Sequence, residues 1–113
     1  MPKSSSTKPA AGANVIGPFE FHAALWLYQG KVTWHFITLP PELGQEIRAR
    51  TAMNRRGWGS VAIEATIGTS TWRTSIFPQK DTGAYLLPVK EDIRTRESLE
   101  IAREIAVSLS VIL

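Results

Sequence analysis

The chain has 113 residues, no cysteine, 13 Lys and Arg against 10 Asp and Glu, and a hydrophobic content of 43%. That is enough for one domain with its own core and too little for two. Without cysteine there is no disulfide, thiolate metal site, redox pair or cysteine nucleophile, and no apolar run approaches the ~18 residues of a membrane helix.

Residues 1–14, MPKSSSTKPAAGAN, hold no large apolar side chain beyond the first methionine and are expected to form a disordered tail. No leader-type apolar stretch follows the early lysines, so a cytoplasmic protein is expected. Two positive charges, Lys3 and Lys8, sit in this tail. The remainder, 15–113, is nearly balanced, so the net charge of +3 does not by itself argue for a nucleic-acid partner.

The first folded element is a strand. Phe19, Phe21, Ala23, Leu25 and Leu27 alternate with Glu20, His22, Ala24, Trp26 and Tyr28, the period of a half-buried strand. Gln29-Gly30 serves as a two-residue turn. It would pair Leu27 with Val32, Leu25 with Trp34, Ala23 with Phe36 and Phe21 with Thr38, so that Trp34 faces the core. Pro40-Pro41 ends the second strand and opens a helix over about 41–53, since proline fits the first helical turn. Early Glu42 and Glu46 and late Arg48 and Arg50 complement the helix dipole. A second hairpin turns at Gly68-Thr69 and sets Ala65 opposite Trp72, Ile63 opposite Thr74, Val61 opposite Ile76 and Glu64 opposite Arg73. Pro78 stops that strand or puts its end on an edge. A strand with Tyr85, Leu87 and Val89 follows, then a short helix over 90–96. Ile105, Val107, Leu109, Val111 and Leu113 form the last and most regular strand. Six strands and two short helices with turn signals between them predict a mainly β protein, a small barrel or sandwich.

Chemistry-bearing motifs are sparse. There is no G-x-S-x-G, S-x-x-K or H-E-x-x-H pattern, and Gly57-Trp58-Gly59 precedes a strand where a phosphate-binding loop needs a helix. No catalytic residue and no cofactor is assigned. In the register above, His22 and His35 fall diagonally on the outward face with Glu20 close by, a weak metal pattern whose bland reading is two surface histidines. Arg48, Arg50, Arg55, Arg56 and Trp58 form a stretch with no acid between Glu46 and Glu64. Arginines beside an aromatic suit phosphates and a base, and arginines are equally at home at a solvated helix end. Arg73 and Lys90 are added as outlying members of that recognition surface. Trp72 is expected in the core, and Trp26 and Tyr28 outward as a partner surface.

The runs Trp34-His35-Phe36-Ile37-Thr38-Leu39-Pro40, Arg56-Gly57-Trp58-Gly59-Ser60-Val61, Thr71-Trp72-Arg73-Thr74-Ser75-Ile76-Phe77-Pro78 and Gly83-Ala84-Tyr85-Leu86-Leu87-Pro88-Val89-Lys90 resemble a bacterial domain-of-unknown-function family, number nineteen-oh-five, over about 19–113. The resemblance implies a double-split β-barrel closed by short helices, a fold shared with AbrB-like regulators and MazE-like antitoxins. It implies no activity, and the fold analogy is weak guidance to function. Where that family has a Gly-Asp turn before the last strand, this chain has Ile101-Ala102-Arg103-Glu104. Either the second helix runs on toward Ala102, or the turn is strained.

These readings converge on a non-enzymatic binding or assembly module. DNA binding by the Arg48–Trp58 patch is the alternative, and small-ligand binding or catalysis in a barrel-mouth pocket the third. A second copy of the chain, as a homodimer, and nucleic acid are the partners considered; a membrane is not.

Overall fold

The computed structural model describes residues 14–53 and 59–113. Of the expected tail only Asn14 lies within them. Six strands and two helices follow in the order β1 (Val15–Gln29), β2 (Thr33–Thr38), α1 (Pro41–Arg50), β3 (Val61–Ile67), β4 (Ser70–Pro78), β5 (Tyr85–Pro88), α2 (Glu91–Arg96) and β6 (Glu104–Ile112). The strands close into an antiparallel barrel ordered β1-β2-β5-β4-β3-β6.

Two strands hold the barrel together by changing partners along their length. β1 pairs with β6 from Val15 to Ala24 and with β2 from Leu25 to Gln29. β4 pairs with β3 from Ser70 to Ile76 and with β5 at Phe77 and Pro78. Two small sheets therefore share two strands, and neither long strand leaves an open edge. β1 begins at Val15, four residues before the expected start at Phe19. The extra residues pair with β6 across a register shift between Ile16 and Phe19. Pro18 lies in that irregularity, where a residue without an N–H is tolerated.

Strict alternation in β3 and β6 builds the core. Val61, Ile63, Ala65 and Ile67 of β3 and Ile105, Val107, Leu109 and Val111 of β6 are all buried. Phe21, Leu25, Ile37, Leu87 and Ile76 join them, with Leu39, Ile47 and Ile93 from the turns and helices. The β3–β4 hairpin has the expected two-residue turn and register, and Glu64 lies opposite Arg73. β4 ends at Pro78 as expected.

The first hairpin differs. Its pairs are Leu25 with Ile37, Leu27 with His35, Tyr28 with Trp34 and Gln29 with Thr33. The connection is three residues, Gly30-Lys31-Val32, where two were expected. The register is displaced by three positions, an odd number, so every β2 side chain changes face. Ile37 and Leu39 enter the core, while Val32 and Trp34 are exposed. Both faces of β2 carry large apolar groups, so alternation within the strand does not choose between them. In the observed register Ile37 lies opposite Leu25, and both are buried in the core.

α1 starts at Pro41 and ends at Arg50, shorter than expected, and the buried Thr51 that follows donates both its N–H and its hydroxyl to the Ile47 carbonyl, at 3.0 and 2.7 Å. α2 stops at Arg96 and does not run on to Ala102. Its end is a Schellman motif: the Leu99 N–H donates to the Arg94 carbonyl, and the Ser98 N–H to the Thr95 carbonyl. Ser98 is left-handed with φ 53°, and so is Ala102 with φ 73°. The strained alternative therefore holds at the turn before β6. Ala102 is kept there by donating its N–H to the Leu25 carbonyl at 2.8 Å, beside the point where β1 changes partners.

Candidate functional site

The described members of the arginine patch are already engaged. Arg48 donates from Nη2 to the Gly83 carbonyl at 2.6 Å, and its guanidinium lies 5.1 Å from the centre of the buried Tyr85 ring. It fastens α1 to the β4–β5 turn. Arg50 pairs with Glu46 one helical turn earlier at 2.9 Å, and Arg73 pairs across the hairpin with Glu64 at 3.6 Å. Both pairs are open to solvent, where such contacts are worth little. Arg55, Arg56 and Trp58 lie outside the described residues. Arg48 and Arg50 share the last turn of α1, Arg73 lies on β4 and Lys90 precedes α2, and the ion pairs of Arg50 and Arg73 go to acids of their own helix and hairpin.

The metal pattern does not survive the register. His22 is exposed and pairs with Ala106, while His35 pairs with Leu27 on the opposite face of the sheet. The diagonal placement of the two histidines is therefore corrected. Among the described residues no three His, Asp or Glu side chains come together as a ligand set. A barrel-mouth pocket must likewise lie outside the barrel interior, because Ile37, Ile63, Leu87, Leu109 and Val111 fill that interior.

The displaced register creates an aromatic surface. Trp26, Tyr28, Trp34 and Phe36 share the outer face of the β1–β2 hairpin, with Tyr28 opposite Trp34 and Trp26 opposite Phe36. Trp34 and Phe36 stack with their planes 1° apart and centroids at 5.8 Å. Trp26 tilts against Phe36 at 5.4 Å, and Tyr28 at 6.5 Å. Trp26 is the anchored member, its Nε1–H donating to the Thr38 hydroxyl at 2.9 Å. Tyr28 and Trp34 remain 50% and 46% exposed. At the tip, Gly30 lets the Tyr28 ring lie over the loop, since a Cβ there would come within 2.8 Å of the ring. The outward Trp26 and Tyr28 stand as expected, though Trp26 is half-buried. Trp34 joins them from the position expected in the core.

Beside Trp34 lies a cleft of about 200 Å3, lined by Trp34 and His35 from the start of β2 and by Lys90, Glu91 and Arg94 from the start of α2. The Val89 N–H donates to the His35 carbonyl at 3.0 Å and so extends the β2–β5 ladder to the cleft's lining residues. Arg94 is held in place by donating from Nη1 to the Val89 carbonyl at 2.7 Å. Lost hydration around the ring, and then the Arg94 guanidinium, hold His35 below the ordinary imidazole value of 6.5. The cleft thus combines two cations, of which Arg94 is held in place, with an imidazole and an aromatic ring. Of these, sequence reasoning placed only Lys90 on a recognition surface. The available signal was Lys90 and Arg94 one helical turn apart, and reading it required the correct β2 register.

No helix among the described residues is long and apolar enough to cross a membrane. The family model described as Domain of unknown function (DUF1905) matches residues 21–109, which is most of the chain, and the chain belongs to that family. A search of curated proteins finds no match.

Proposed function

We propose that this DUF1905 chain is a non-enzymatic binding module, and that its ligand is single-stranded nucleic acid laid across the outer face of the β1–β2 hairpin. One observation carries the reading: Tyr28 and Trp34, a cross-strand pair, stand half exposed on a face continued by Phe36 and Trp26. An apolar ring costs free energy in water, and contiguous aromatic surface on a soluble domain commonly marks a contact site. Opposed residues on neighbouring strands lie ~5 Å apart at Cβ, close enough for neighbouring bases of one strand to use both rings. Base–aromatic stacking is worth about 1–3 kcal/mol per base and asks nothing of the sequence. Cations flank the row, with Lys31 exposed in the loop at its tip and Lys90 exposed beside Trp34.

A second copy of the chain is the weaker occupant. Tyr28, Val32 and Trp34 together expose roughly 300 Å2, well below the ~800 Å2 per partner of a standard protein interface. The test is tryptophan fluorescence on adding a short oligothymidylate, with a duplex of the same length for comparison, at about 50 and 200 mM salt. The single strand is expected to quench the signal and bind more tightly than the duplex, and Trp34→Ala to weaken binding about tenfold or more. Unquenched fluorescence at the lower salt, or a Trp34→Ala variant that binds as well as the parent, would overturn the proposal.

A further inference from the structure

We infer that the cleft between β2 and α2 is a phosphate site, taking the phosphate of a nucleotide whose base stacks on Trp34. The inference rests on the aromatic-face reading above and names its anionic half. At about 200 Å3 the cleft is smaller than the ~300 Å3 at which pockets for whole ligands begin. It fits a single group, with the rest of the ligand lying outside on the aromatic face.

The lining chemistry selects an anion. Lys90 and Arg94 both face the cleft, and among the described residues neither forms an ion pair. Glu91 is the one acidic lining residue against these two cations. Arg94 commits Nη1 to the Val89 carbonyl, which orients a guanidinium with further donors to offer and lowers the entropy lost on binding. Lys90 brings three donors on a mobile stem. His35 in its neutral form donates one ring N–H without needing a counter-charge of its own. Guanidinium, ammonium and imidazole N–H are donors only toward an oxyanion, and tetrahedral phosphate oxygens can accept from all three. Trp34 lines the cleft and also belongs to the aromatic row. A phosphate in the cleft therefore leaves its sugar and base beside the ring.

The two histidines supply a reporter and a reference. His35 lines the cleft, whereas His22 lies on the outer face of β1 against β6. The experiment is an NMR pH titration of both imidazoles in the full chain, with sulfate as a phosphate mimic of constant charge and chloride at equal ionic strength. Sulfate is expected to raise the midpoint of His35 and leave the His22 resonances unmoved by the anion, and Lys90→Gln to diminish the effect. Thymidine monophosphate should reproduce the His35 shift and add quenching of Trp34. Lys90→Gln should weaken oligothymidylate binding about tenfold and lower its salt slope by about 0.7. Arg94→Gln should do the same; Lys90→Gln guards against a loss of fold, because Lys90 holds no backbone group.

The outcomes separate the two readings. If both histidines respond alike to sulfate, or neither responds, the phosphate site is overturned. If the oligonucleotide binds but Lys90→Gln leaves its affinity and salt slope unchanged, the phosphate site falls and the aromatic-face reading stands. If the monophosphate and sulfate shift His35 while no strand binds, the phosphate site stands with a free nucleotide as its source, and the single-strand reading falls.

Discussion

Among the described residues, Ala102 at φ 73° is the clearest local conflict between residue and backbone. An L-residue in the left-handed region costs roughly 1–2 kcal/mol, because its Cβ crowds the following carbonyl oxygen. Glycine escapes that cost but loses more conformational freedom on folding, which returns roughly 0.5–1 kcal/mol. Ala102→Gly is therefore expected to stabilise the domain by about 0.5–1 kcal/mol, raising Tm by about 2–6 °C for a domain near this size. The N–H that donates to Leu25 is untouched, so the junction between β1 and β6 is preserved. Urea unfolding followed by tryptophan fluorescence measures the change as a higher midpoint at constant slope. Ser98→Gly, at φ 53° in the Schellman motif, is the parallel case and should behave alike. If Ala102→Gly is neutral or destabilising while Ser98→Gly stabilises, Ala102 is not held left-handed in solution and the reasoning about this turn fails.

Three further outcomes are expected. Trp34→Ala should cost less than about 1 kcal/mol, as for an exposed side chain, while Ile37→Ala costs about 2–5 kcal/mol; denaturant midpoints reading the reverse would mean that β2 sits in the other register. Arg48→Met should destabilise by about 1–2 kcal/mol, the low end for a charged donor to a carbonyl, because the bond is open to solvent; an unchanged midpoint would show that the Gly83 contact contributes nothing. Glu97 is held below the ordinary glutamate value of 4.5, first by the Ser70 hydroxyl at 2.5 Å and then, against some desolvation, by Thr69. A depressed carboxyl stabilises above its unfolded value and loses that contribution as pH falls through its folded one. The Tm difference between the parent and Glu97→Gln should therefore be present at neutral pH and close on acidification below 4.5; a gap that persists in strong acid would exclude the Glu97 charge as its source.

Local rules were sufficient wherever a strand has one apolar face. In β3 and β6 the alternation is unambiguous, and the Gly68-Thr69 turn admits one pairing, so Glu64 meets Arg73 as the spacing requires. Pro41 and Pro78 set boundaries through chemistry that neighbouring structure cannot override. The sequence at Ile101–Glu104 left two readings open, a longer second helix or a strained turn, and the left-handed Ala102 decides for the second. Three features depended on long-range packing. β1 is a single strand of 15 residues serving two sheets, a property of barrel closure that its own pattern does not encode. β2 carries Trp34 and Phe36 on one face and Ile37 with Leu39 on the other. Only the space beside Leu25 and the three-residue loop decided which pair went inside. That choice moved Trp34 onto the surface, separated His35 from His22, and brought Lys90 and Arg94 alongside an aromatic ring. Arg48, which composition alone offers to a ligand, was instead taken by Gly83 and Tyr85, since a donor's partner is set by what the fold places within reach. Periodicity determined that this chain is mainly β, a small barrel or sandwich, because burying alternate side chains is a local demand. The candidate site was decided by tertiary structure, because it lies where two strands and a helix distant in sequence converge.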